Sequence, residues 1–207
     1  MYETRGLFDG LRVGLLGGSF NPPHAGHREI SLNGLRRIGL DYVWWLVTPG
    51  NPQKDQEHYA RFVTRMAAAR QCAAHPRIIV SNFEQRHDLR FTAHTIAALK
   101  SRFPRTRFVW MMGADNLAGF HTWRDWKLIA ANLSIAVFNR PGHTISGLAS
   151  PAGQTLHSYR LPTTVARLLP ECAPPAWIYF TDTLNHESST EIRAENKDWR
   201  ERIENPI

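Results

Sequence analysis

The chain has 207 residues, enough for one domain with a sizeable core, and it is read as a single domain over residues 1–207. Its composition, 43% hydrophobic and 21% charged, is ordinary for a water-soluble fold, and no apolar run approaches the roughly 18 residues needed to span a bilayer, which argues against a membrane protein. A formal net charge of +7 favours a polyanionic partner, either nucleic acid or a phosphorylated small molecule.

The N-terminal stretch MYETRGLFDGLRV carries acidic residues and no continuous apolar run, so it does not read as a secretory leader, and a cytoplasmic protein is expected. The first strand is expected at residues 12–16, followed by the glycines Gly17 and Gly18, an Asn-Pro-Pro break and two histidines, in the string GGSFNPPHAGH. Glycine after a strand permits a tight turn and close approach of a ligand to the backbone. The prolines stop the strand, and residues 24 to about 37 follow as a helix whose N-terminal amides attract anions. His24 and His27 then share one helical face, where two imidazoles can donate to phosphate oxygens and stabilise charge developing at phosphorus. A metal site is not expected, because no third ligand falls at a plausible spacing.

Further apolar runs at residues 42–47, 77–80, 108–112, 133–138 and 177–180 read as strands, most of them buried on both faces. Between them, Phe62, Met66, Ala69 and Ala73, then Ile96, Leu99 and Phe103, keep helical spacing. The alternation predicts an α/β fold: a Rossmann-like, doubly wound, mostly parallel sheet with helices on both faces and ligands at the carboxyl ends of the strands. Residues 140–160, rich in Pro, Gly, Ser and Thr, read as a loop or irregular connection. The cysteines Cys72 and Cys172 have no metal-ligand spacing and read as reduced. No G-x-G-x-x-G or G-x-x-x-x-G-K-[ST] string is present, so neither a dinucleotide-binding fingerprint nor a Walker-type loop is indicated.

GGSFNPPHAGH resembles the first signature of the nucleotidyltransferases with an H-x-G-H motif, and SSTEIR, Ser188 to Arg193, resembles their second. Within that superfamily the chain looks like the bacterial nicotinate-nucleotide adenylyltransferases, on the strength of TPGNPQKD, RFTAHTI, GADNL, TWRDW and NRPG at predicted strand ends and helix starts. The resemblance implies adenylyl transfer from ATP to nicotinate mononucleotide, giving deamido-NAD and pyrophosphate, with Mg²⁺ accompanying ATP. It implies that Gly17, Gly18, Ser19, Phe20, His24, His27, Ser188, Ser189, Thr190 and Arg193 bind ATP, with His24, His27 and Arg193 catalytic. By the same resemblance Asn51, Lys54, Phe91, Thr92, Asp115, Trp123 and Arg140 serve the nicotinate mononucleotide. Trp123 is expected to stack on the pyridine ring, Thr92 to help hold its carboxylate, and Trp126 to pack in the core. Glu187 stands where the resemblance implies an apolar anchor for the helix that follows.

Two rivals are weighed against this reading. A related transferase could use nicotinamide mononucleotide or phosphopantetheine as acceptor. A non-catalytic RNA-binding module would account for the basic charge, but the arginines are spread without a basic block or an aromatic-basic sheet motif, so no nucleic-acid partner is expected. The sequence leaves monomer and homo-oligomer both open.

Overall fold

The computed structural model describes residues 6–50, 60–139, 144–182, 187, 189–195 and 199. Seven strands are described: β1 (Arg12–Gly18), β2 (Tyr42–Val47), β3 (Ile78–Ser81), β4 (Arg107–Gly113), β5 (Ser134–Phe138), β6 (Arg160–Leu161) and β7 (Trp177–Phe180). They form one sheet in the order β3-β2-β1-β4-β5-β7-β6, with every pair parallel. The doubly wound α/β expectation therefore holds. Strands β2, β4, β5 and β7 are buried on both faces almost throughout, as their unbroken apolar runs require.

The crossovers are α1 (Ala25–Asn33), α2 (Phe62–Ala73), α3 (Phe83–Arg86), α4 (Thr92–Arg102), α5 (Ala114–Gly119), α6 (Trp126–Asn132), α7 (Thr144–Leu148) and α8 (Pro151–Thr155), with α9 (Ser189–Glu195) after β7. α1 continues into a wider turn of helix at Gly34–Ile38. Each sheet face carries its own core. Val13, Trp44, Leu46, Trp110 and Val137 pack with Ile96 and Leu99 of α4 and Leu117 of α5 on one face. Leu16, Val43, Trp45, Val109 and Phe138 pack with Ile30 of α1 and Met66 and Ala69 of α2 on the other.

Three expectations are corrected. Residues 140–160 are not merely irregular, because α7, α8 and a short 3-10 turn occupy much of that span and β6 follows directly. A two-residue strand on the sheet edge has too few alternations to announce itself. Gly17 and Gly18 are the last residues of β1, opposite Leu46 and Val47 of β2, rather than a turn after it. His24 precedes the helix instead of lying within it: its backbone is extended and it is the residue that caps α1.

No helix among the described residues is long and apolar enough to cross a membrane.

Candidate active site

From β1 the chain winds outward through β2 and β3, then returns to place β4 on the other side of β1. The reversal opens a crevice at the carboxyl ends of β1 and β4, where ligands bind in open α/β sheets. Gly17 closes the floor of this crevice. A Cβ there would lie 2.7 Å from Cη2 of the Trp110 indole, so glycine is demanded by close packing across β1 and β4 rather than by a turn. The turn falls on Phe20, whose φ of +48° is uncommon for a residue with a side chain and costs about 1 kcal/mol. Its ring is fully buried and stacks on Trp45, with centroids 4.8 Å apart and planes 12° from parallel.

That stack seats the histidines. His27 lies with its ring centroid 4.7 Å from Phe20 and 5.8 Å from Trp45, and the His24 and His27 rings are 3.9 Å apart. The His27 Nδ1 accepts a hydrogen bond from the His24 backbone N–H at 3.3 Å, which in the neutral ring places the proton on Nε2, the far nitrogen. His24 is buried, and Gly26 makes room for it: a Cβ at Gly26 would come within 3.0 Å of the His24 imidazole. The helix is fastened from below, because the Trp45 indole N–H donates to Ser31 Oγ at 2.7 Å and that hydroxyl donates to the His27 carbonyl at 2.8 Å.

The second signature docks on the first. Ser189 Oγ donates to the Pro22 carbonyl at 2.8 Å, and Arg193 donates to the Asn21 carbonyl at 2.6 Å and to Thr190 Oγ1 at 3.3 Å. The Glu187 carboxylate accepts from the Ala25 N–H at 2.8 Å. The position where an apolar anchor was expected thus holds a polar one, at the first amide of α1.

On the β4 side, Phe91 caps α4 with its backbone extended, and Thr92 is the first helical residue. Trp123 is half-buried and meets Trp110 and Phe120 edge-on, with centroids 6.2 and 5.3 Å apart. Trp126 is also half-buried, meeting Phe120 edge-on at 5.7 Å, so it lies against the core rather than inside it. The guanidinium of Arg124 covers the Phe91 ring at 4.6 Å, which brings the RFTAHT and TWRDW segments together. Asp115 does not end a strand. It sits in the first turn of α5, and Gly113, capping that helix, has no room for a Cβ beside the Asp115 carboxylate. Asn51, Lys54, Arg140 and Ser188 lie outside the described residues.

Two buried charged residues escaped the motif reading. Arg65, on the first turns of α2, is 1% exposed and donates to the carbonyls of Ala60, Ser19, Thr48 and Pro49 at 3.1, 2.6, 2.8 and 2.9 Å. Its only sequence signal is a cation three residues after Phe62, on the apolar stripe of the helix. Glu84 accepts from Thr95 Oγ1 of α4 at 3.0 Å, and burial pushes its carboxyl up to about 7, against the opposing hydrogen bonds from Thr95 and Thr48. Nothing local in the sequence marks it.

A parallel sheet whose strand order reverses at β1, with two imidazoles and a helix N-terminus at the reversal, defines an α/β nucleotide-handling protein of the nucleotidyltransferase type. Residues 15–195 match the Cytidylyltransferase-like family, and the chain belongs to it. A Bradyrhizobium relative described as a probable nicotinate-nucleotide adenylyltransferase is 50% identical over 190 residues, covering 92% of this chain and 99% of that one. A Ruegeria relative of the same description is 45% identical over 183 residues, covering 88% and 96%. Among solved structures, the Plasmodium falciparum nicotinic acid mononucleotide adenylyltransferase complexed with NaAD superposes with a TM-score of 0.67 over 89% of this chain and 83% of that one. At 13% identity that likeness speaks for the fold.

Proposed function

We propose that the chain transfers the adenylyl group of ATP to nicotinate mononucleotide, forming deamido-NAD and releasing pyrophosphate in NAD biosynthesis. The observation that carries this reading is the paired imidazoles of His24 and His27, 3.9 Å apart at the start of α1 beside the crevice between β1 and β4. The descriptions of the relatives at 45–50% identity agree with it.

In this reading the phosphate of nicotinate mononucleotide attacks the α-phosphorus of ATP in line. The new P–O bond forms as the α–β bridging bond breaks, and pyrophosphate leaves with the electron pair. The nucleophile is anionic at neutral pH, so no general base is required and the protein contributes alignment and charge stabilisation. His24 and His27 donate to phosphate oxygens, together with the amides that open α1. Ser189, Thr190 and Arg193 add hydroxyl and guanidinium donors from the docked second signature, and Gly17, Gly18, Ser19 and Phe20 line the nucleotide end from the end of β1. Phe91, Thr92 and Trp123 form the pyridine end, with the Trp123 face for stacking and the opening amides of α4 for the carboxylate. Asp115 serves the ribose side, Lys54 and Arg140 complete the reading as phosphate contacts, and Asn51 belongs to the nicotinate mononucleotide side.

The groups gathered here are mostly imidazoles, hydroxyls and a guanidinium, which suits a Mg²⁺ ion held by triphosphate oxygens and water rather than by a carboxylate cage. When present with ATP, the ion neutralises charge on the triphosphate. A cytoplasmic setting belongs to the same reading.

The test is pyrophosphate release with Mg-ATP and, separately, nicotinate mononucleotide, nicotinamide mononucleotide and phosphopantetheine, with CTP as an alternative donor. Release preferring ATP with nicotinate mononucleotide is the expected result. Equal or greater release with another pair reassigns the substrate, and silence with all of them removes the catalytic reading.

A further inference from the structure

Arg65 is a buried guanidinium whose partners are backbone carbonyls from three segments of the chain. It reaches Ser19 beyond the end of β1, Thr48 and Pro49 beyond the end of β2, and Ala60 just before α2. These four bonds use Nε and both terminal nitrogens, so the planar fork is engaged along its whole edge. Oriented carbonyl dipoles converge on the charge, which lets it sit 1% exposed beneath the site. The Phe62 ring flanks it at 5.3 Å.

The geometry has a consequence on the other side of each peptide. A trans peptide is planar and its N–H points away from its C=O. Turning the Ser19 carbonyl onto Arg65 therefore turns the Phe20 N–H away from it, and turning the Pro49 carbonyl onto Arg65 does the same to the Gly50 N–H. The Ser19–Phe20 peptide belongs to the GGSF segment at the crevice, and the Pro49–Gly50 peptide follows the neighbouring strand β2. Phe20 also carries the positive φ of +48°, a conformation that persists when surrounding contacts enforce it. The Arg65–Ser19 bond and the Phe20–Trp45 stack are those contacts.

We propose that Arg65 is a positioning residue of the adenylyl-transfer reaction: its guanidinium clamps the carbonyls of Ser19, Thr48 and Pro49, so that the amides of Phe20 and Gly50 face the substrate phosphates. It does not touch substrate. It links the two loops that follow β1 and β2 and keeps them in one relative register. This inference rests on the adenylyltransferase reading of the same site. Lysine cannot take over the role, because a single ammonium lacks the fork that serves carbonyls on separate segments.

The experiment uses the full chain as wild type, R65K and R65A, with steady-state kinetics for both nucleotides, thermal unfolding, and amide hydrogen exchange of the segments around residues 18–20 and 48–50. Methylguanidinium is added at millimolar concentration to R65A to refill the vacated volume. A folded R65K is expected to lose about 100-fold in kcat/KM, the scale of a misplacement of about 1 Å. Its exchange should quicken in those two segments, with the rest of the protected amides unchanged. R65A should regain activity when methylguanidinium is added. R65K with wild-type kinetics and exchange overturns the proposal, as does a loss of activity that merely tracks loss of folded protein and resists rescue. A wild-type chain that releases no pyrophosphate overturns the adenylyltransferase reading itself, and the positioning role falls with it.

Discussion

The Glu187 carboxylate accepts a hydrogen bond from the Ala25 N–H at 2.8 Å, placing a negative charge on the first amide of the helix that carries the H-x-G-H motif. A carboxylate at a helix N-terminus gains about 0.3–1 kcal/mol from the unpaired amides and the helix dipole. A phosphate approaching the same amides must displace it or bind beside it. Glu187→Gln should therefore lower the KM for ATP by up to about fivefold, the equivalent of about 1 kcal/mol, while α1 loses a little stability. Steady-state kinetics at low and moderate ionic strength checks this. The gain should shrink with salt, and an unchanged KM at low salt would show that the carboxylate does not compete.

His24 and His27 are held in different ways. His27 packs on Phe20, its Nδ1 is taken up by the His24 amide, and its carbonyl accepts from Ser31, so its truncation disturbs packing as well as chemistry. His24 precedes the helix, and its buried ring packs against His27 alone among the described aromatic rings, so its truncation removes less packing. His24→Ala is expected to cut kcat about 100- to 1000-fold, the usual loss for one donor to a charged transition state. The unfolding midpoint should move by only a few degrees. Turnover near wild type in a folded His24→Ala protein would remove this imidazole from the mechanism.

Much of the fold was legible because buried parallel strands leave unbroken apolar runs, and six of the seven described strands were placed within a residue or two at each end. The two signatures stood out in the sequence because each is a short local string, glycines, prolines and histidines in the first and hydroxyls with an arginine in the second, and the fold brings the two strings into contact. Arg65 and Glu84 were not. The Ser19, Thr48 and Pro49 carbonyls held by Arg65 are 46, 17 and 16 positions away, and a charge on a helix reads as solvated until the chain folds its partners around it. The role of the glycines was misjudged for a related reason. Gly17 answers to Trp110 on a neighbouring strand, whereas the bend itself falls on a phenylalanine that sequence rules would not choose. The two-residue strand β6 carries no period at all.

Glu84 gives the native state a pH dependence. Its carboxyl ionises near 7 when folded, against an ordinary 4.5, so between those values the folded protein holds a proton that the unfolded chain has released. Stability contributed by the neutral group is complete below about 4.5 and is lost as pH rises through about 7, a loss of order 3 kcal/mol from the 2.5-unit difference. Glu84→Gln keeps an acceptor for Thr95 and Thr48 and removes the titration. The variant should match the wild type near pH 5 and exceed it at pH 8. Denaturant unfolding across that range reads the difference directly, and parallel curves for the two proteins would show that the carboxyl is ionised throughout.

Gly17→Ala tests how tightly the floor of the crevice is packed. The added methyl would sit 2.7 Å from Cη2 and 3.2 Å from Cζ2 of Trp110, whose indole is buried at 2% exposure. Forcing an extra carbon into such a contact costs about 1–3 kcal/mol. Trp110 also meets Trp123 edge-on, so its displacement should reach Trp123, the proposed stacking face for the pyridine ring. The expected signature is a lowered denaturant midpoint together with a raised KM for nicotinate mononucleotide. Pairing it with Trp110→Phe, which shortens the ring facing Gly17, should recover part of the stability lost, because the clash and its relief involve the same two side chains. Additive losses in the double variant would mean that the strain at Gly17 is taken up elsewhere than at Trp110.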